Sequence, residues 1–108
     1  MELKPIKTDD VAPLNEGVVD IAIAGFLADA ANGDVNALFN LGVAYSTGSN
    51  GIECDLIEAH KWFNLAASRG HEDASYCRAD ISDEMTAREI AEAQRRARRW
   101  LSEERRAA

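Results

Sequence analysis

The chain has 108 residues, enough for one domain and short of a second substantial core. With 46% hydrophobic residues, many of them Ala, and large side chains mainly at Phe26, Phe39, Tyr45, Trp62, Phe63, Tyr76 and Trp100, it can pack backbones closely and lock them with a few rings, needing neither disulfide nor metal. A formal charge of −7 speaks against nucleic acid, whose binding relies on Lys and Arg neutralising phosphates, and no run approaches the roughly 18 apolar residues of a membrane span.

Residues 1–16 contain Pro5 and Pro13, stop just before Gly17 and carry no period, so an irregular arm is expected there, followed by a helical domain over 17–106. The start Met1-Glu2-Leu3-Lys4-Pro5 lacks the apolar core of a signal peptide, which makes a cytoplasmic location the expectation. In such a compartment Cys54 and Cys77, which form no CxxC pair, are free thiols.

Helical spacing begins at residue 18. Ile23, Phe26, Leu27 and Ala30 fall at i, i+3, i+4 and i+7, one buried helical face over 18–32. Gly33 ends that helix and Asp34 caps the next, whose apolar set is Leu38, Leu41, Gly42 and Tyr45. Gly48-Ser49-Asn50-Gly51 is a loop, because Gly and Asn tolerate positive φ. Asp55 and Glu58 have capping-box spacing at the start of a third helix that runs to Arg69 and stops at Gly70. A fourth helix is expected over 72–82. Thr86 and Glu89 form a second capping box opening a last helix over 87–105. Five helices on short connections favour antiparallel neighbours.

The sequence also repeats itself. A shift of 37 lays Ala22 on Ala59, Phe26 on Phe63, Ala30 on Ala67, Gly33 on Gly70 and Ala37 on Ala74. Small residues and one ring in a shared order are what duplication of a helix-turn-helix unit leaves behind. Within it, Ala37, Leu41, Gly42, Tyr45, Gly48, Gly51, Ile52, Asp55, Ala59, Trp62, Phe63, Ala66, Ala67 and Gly70 follow one another as a recognisable pattern. The stretch 37–70 resembles the Sel-one-like repeat, a relative of the tetratricopeptide repeat. It departs from that pattern in a loop one residue longer, in Glu58 where Lys is usual, and in Asn64 near a position commonly basic. None of these removes a packing position. Residues 18–33 resemble the second helix of a degenerate preceding unit. Residues 74–101 resemble a terminal unit in which Arg78 and Ala79 stand where Leu and Gly would be.

The resemblance implies an all-α fold, a right-handed α-solenoid of antiparallel helix pairs with a capping helix over 87–105. It implies a protein-interaction module, an adaptor or scaffold, in which the first helix of each unit lines a concave groove. The outward positions there are Asn36, Phe39, Val43 and Ser46, and the shift of 37 adds Asp73, Tyr76, Asp80 and Asp83. Phe39 and Val43 make an apolar pair that repeat packing does not require. Either they pack beneath the arm or first helix, or they belong to a short aromatic strip with an acidic rim. Such a strip suits a protein or peptide segment carrying an apolar anchor beside Lys or Arg.

Charge is uneven along the chain. Residues 1–84 carry 15 acids against five bases, and residues 85–108 seven Arg against four Glu. In the last helix Arg95 and Arg96 follow Glu92 at i+3 and i+4, the spacing of a salt-bridged, solvated face. The alternative function is self-association into a homo-oligomer, the basic helix of one copy meeting the acidic body of another. Nothing in the sequence nominates a catalytic group, a cofactor or a metal. His60 and His71 fit no metal spacing and are expected at the surface or at the polar start of the fourth helix, and Cys77 has no evident base beside it.

Overall fold

The computed structural model describes residues 21–49 and 51–107, and every regular element among them is a helix. The expected irregular arm over 1–16 lies outside the described residues. In chain order the helices are α1 (21–31), α2 (Val35–Thr47), α3 (Leu56–Ser68), α4 (Glu72–Ser82) and α5 (Ala87–Ala107). α3 lies at the centre, against α2, α4 and α5, while α2 and α4 meet only along a narrow seam.

The sequence dictates each boundary by satisfying backbone groups that a helix end leaves free. Asp34 caps α2, its Oδ1 accepting from the Asn36 N–H at 2.9 Å. Gly48 closes α2 in the left-handed region at φ 75°, and its N–H and that of Ser49 both donate to the Ala44 carbonyl. Asp55 Oδ1 accepts from the Ile57 and Glu58 N–H groups at the head of α3. The return half of that expected box does not form: the Asp55 N–H donates to the Tyr45 carbonyl at 2.8 Å, and Glu58 is drawn towards α5 instead. The Thr86–Glu89 box is complete, with Thr86 N–H donating to Glu89 Oε1 at 2.8 Å and Glu89 N–H to Thr86 Oγ1 at 3.1 Å.

The turns α1–α2 and α3–α4 correspond residue for residue at the offset of 37. Asp34 N–H donates to the Asp29 carbonyl at 3.0 Å, and His71 N–H to that of Ala66 at 3.1 Å. Gly33 and Gly70 both take φ 94°. Asp34 and His71 each cap the helix that follows, His71 through Nδ1, which accepts from the Ala74 N–H at 3.1 Å.

The core is built mainly by α2 and α3. Leu38, Leu41, Phe63 and Leu65 are fully buried, each contributing roughly 1.5–3 kcal/mol by leaving water. Gly42 makes the close approach possible: a Cβ there would lie 2.5 Å from Phe63 Cε1, a position already filled by the ring. Ile23 and Phe26 of α1 pack against this cluster, as do Trp100 and Leu101 of α5. The Trp62 and Trp100 rings meet edge to face at a centroid distance of 5.7 Å.

Two expectations about burial are overturned: Leu27, expected on the buried face of the first helix, is exposed, and His60 is buried. His60 is 3% exposed, not a surface residue, because its place on α3 turns it inwards beside Ala59 and Phe63. Burial and the nearby Arg78 guanidinium hold its imidazole below the ordinary histidine range.

Candidate functional site

Where α2 and α4 run past each other without touching along most of their length, a groove of about 300 Å³ remains. α2 supplies Val43, Ser46 and Thr47, α4 supplies Cys77, Asp80 and Ile81, and the Phe63 ring of α3 forms the floor. The wall is less polar than its composition suggests. Ser46 Oγ donates to the Val43 carbonyl at 3.1 Å and Thr47 Oγ1 to the same oxygen at 2.8 Å, so both hydroxyl protons are engaged within α2. Thr47 also bonds the Ser49 hydroxyl.

Cys77 is half-buried, and burial together with Asp80 and Asp73 raises its thiol above the ordinary range. It is therefore protonated at neutral pH and behaves as a small apolar side chain with little nucleophilic character. Both cysteines are free.

α4 gives the groove its acidic border. Tyr76 and Cys77 stand three and four residues after Asp73, and Asp80 four and three after them, so the four share one side of the helix. Asp73, Tyr76 and Asp80 are exposed, Tyr76 to 70%. No Lys or Arg lines the groove. The nearest base on α4, Arg78, turns the other way, donating to Asn64 Oδ1 at 2.7 Å.

Of the eight residues singled out from the sequence, Val43, Ser46 and Asp80 therefore line one groove, and Asp83 is exposed at the end of α4. Tyr76 and Asp73 flank it on α4, while Asn36 is exposed in the first turn of α2. The Phe39 ring stacks on His71 at 4.3 Å and tilts against Phe63 at 5.7 Å, which places it in the seam where α2, α3 and α4 converge; the alternative place beneath the N-terminal arm lies outside the described residues. Cys77 and Ile81 were not singled out, although their i, i+4 spacing on α4 mirrors the Phe39–Val43 pair on α2.

A larger depression, about 450 Å³, lies between α3 and α5 and is lined by Glu58, Lys61, Glu92, Arg96, Arg99, Trp100 and Glu103. Its charges are largely matched to one another. Arg96 bonds Glu92 and Glu58, each at 2.7 Å, and Lys61 reaches Glu58 at 3.4 Å. Arg95 also pairs with Glu92. The hydrogen bond from Arg96 holds the Glu92 carboxyl below the usual carboxylate range. Arg69 bonds Glu104 at 2.7 Å across the α3–α5 interface.

Among the described residues no group of His, Cys, Asp and Glu is arranged to hold a metal ion, and no helix is long and apolar enough to cross a membrane. No protein-family model, no curated protein and no solved structure matches the chain.

Proposed function

We propose that this chain is a Sel-one-like, tetratricopeptide-like module, a short right-handed solenoid that docks a protein or peptide segment without catalysis. The observation that carries the reading is the α2–α4 groove, with apolar walls, an acidic border and no base along it. Support for the repeat comes from the ordered packing residues between Ala37 and Gly70 and from the α1–α2 and α3–α4 turns, whose backbone hydrogen bonds recur at the offset of 37.

The occupant suited to this groove is an extended segment presenting one aliphatic or aromatic side chain beside Lys or Arg. The anchor would displace water over Val43, Cys77, Ile81 and Phe63, while the bases would meet Asp73 and Asp80. So small a groove belongs to the weak end of interfaces. A cytoplasmic adaptor or scaffold is the setting that goes with weak, reversible docking and two free thiols. Self-association through α5 draws less support, because Arg95 and Arg96 are already paired within the molecule.

The test is selection of binders from a random-peptide display library, followed by affinity measurement on the native chain, Tyr76→Ala and Asp80→Lys. Both positions are exposed, so folding is expected to be unaffected. Selected peptides should carry an apolar residue beside Lys or Arg and lose at least about tenfold in affinity on Asp80→Lys, the effect of roughly 1.4 kcal/mol. Peptides without that signature, or binding both variants as well as the native chain, would overturn the proposal.

A further inference from the structure

The segment Leu3-Lys4-Pro5-Ile6-Lys7 carries the chemistry that the groove asks for: two aliphatic side chains, two lysines and no acid, with a proline that favours an extended backbone. Outside the arginine-rich last helix, no other stretch of the chain sets two bases so closely around an aliphatic residue without an acid between them. Resting on the docking role proposed above, we propose that residues Leu3–Lys7 occupy the α2–α4 groove of the same molecule and act as an internal competitor for its partner.

Three observations carry this. The first is charge complementarity. Lys4 and Lys7 are two of only five bases in residues 1–84, and the groove has Asp80 in its wall and Asp73 beside it on α4. The second is apolar fit, since Ile6 would meet Val43, Cys77 and Ile81 over the buried Phe63 ring.

The third is reach. α1 and α2 are joined by the tight turn at Asn32–Asp34, and Ile23 and Phe26 pack against the same core as Leu38 and Leu41, so α1 folds back along α2. Ile21 is thereby brought to the end of α2 that bears Ser46 and Thr47, the end of the groove. Residues 8–20 remain between Lys7 and Ile21 and could span roughly 45 Å fully extended. Rounding the end of one helix, about 10–12 Å across, takes far less. A tether of that length holds its segment at an effective concentration of about a millimolar, so even weak docking fills the groove for much of the time.

Cys77 reports occupancy directly because it lines the groove, and exposed Cys54 is an internal reference. The experiment compares iodoacetamide alkylation of both thiols, resolved by peptide mass, in the native chain and in the full-length variant Lys4→Glu/Ile6→Asp/Lys7→Glu. Cys77 should react on the order of two- to tenfold faster in the variant, the range expected from losing a tethered, millimolar-affinity occupant, with Cys54 unchanged. A synthetic peptide of residues 1–13, added to the variant at several millimolar, should slow Cys77 again, which partial unfolding would not allow.

Equal Cys77 rates in the native chain and the variant would overturn the proposal. If a display-selected peptide then still slowed Cys77, the docking reading would stand alone; if it did not, both would fall. Protection in the native chain that vanished on dilution would assign the groove to the arm of a second copy and overturn the intramolecular form.

Discussion

α2 on one side, and α4 and α5 on the other, all pack against α3 but with different chemistry, and α4 and α5 scarcely touch one another. At the offset of 37, Leu41 and Gly42 of α2 correspond to Arg78 and Ala79 of α4. Leu41 is fully buried and Gly42 lies under the Phe63 ring, whereas Arg78 reaches across to Asn64 and Ala79 is exposed. Counted from the first residue of each second helix, Ala93 and Ala97 of α5 stand where α3 has Trp62 and Ala66. α2 and α3 exclude water with large side chains. α4 and α5 each lean small alanines on α3 and are fastened to it by Arg96–Glu58, Arg69–Glu104 and Arg78–Asn64. Glu58 and Asn64, which depart from the pattern that the stretch 37–70 resembles, receive two of these three bonds. α4 and α5 therefore depend on α3 for their core.

That contrast can be broken most forcefully at Phe63. Phe63→Ala should cost about 3–5 kcal/mol in urea denaturation and loosen α2, α4 and α5 together, since the ring supports α2 and floors the α2–α4 groove on the helix that α4 and α5 both pack against. A loss confined to α2, seen by hydrogen exchange with α4 and α5 still protected, would contradict the dependence.

Gly42 and Ala79 provide the mirrored test. Gly42→Ala should destabilise by about 1–3 kcal/mol through collision with Phe63, although Ala is the better helix former. Ala79→Gly, in an exposed helix interior, should cost only about 0.5–1 kcal/mol. Equal effects would mean that the two sites pack alike.

The caps sharpen the comparison further. Thr86→Ala removes one half of a reciprocal box and should lower stability by about 0.5–2 kcal/mol. A double-mutant cycle on Glu58 and Arg96, whose side chains are 19% and 33% exposed, should return a coupling of about 0.2–1 kcal/mol that shrinks with added salt.

His60 gives a direction with pH. Its folded-state pKa lies below the ordinary value of 6.5, so the unfolded chain takes up a proton that the folded chain resists. The stability that neutral His60 confers is present above that value and is lost as pH falls below it. Chemical denaturation between pH 7.5 and 5.5 should show this slope, and His60→Gln should flatten it.

Much of the fold is legible in the sequence because helix ends are local chemistry. Asp34, Gly48, Gly70 and the Thr86–Glu89 box mark boundaries through backbone groups only a few residues away. What escapes the sequence is long-range. Glu58 has perfect capping-box spacing, yet a guanidinium from α5 outcompetes the Asp55 N–H for its carboxylate. His60 looks polar and exposed until the placement of α3 at the centre of three neighbours buries it. The groove was only half legible: Val43 and Asp80 follow from the offset, but the stacking of Phe39 on His71 depends on how far the α3–α4 turn carries His71 towards α2.

The central claim is that the α2–α4 groove, and not the charged α3–α5 face, receives a partner. Backbone amide shifts of the labelled chain, titrated with a display-selected peptide, test it most directly. The account predicts changes centred on Val43, Ser46, Thr47, Cys77 and Ile81, growing with peptide and diminished in Asp80→Lys. Changes centred on Lys61, Arg96, Arg99 and Trp100, with α2 and α4 undisturbed, would contradict it.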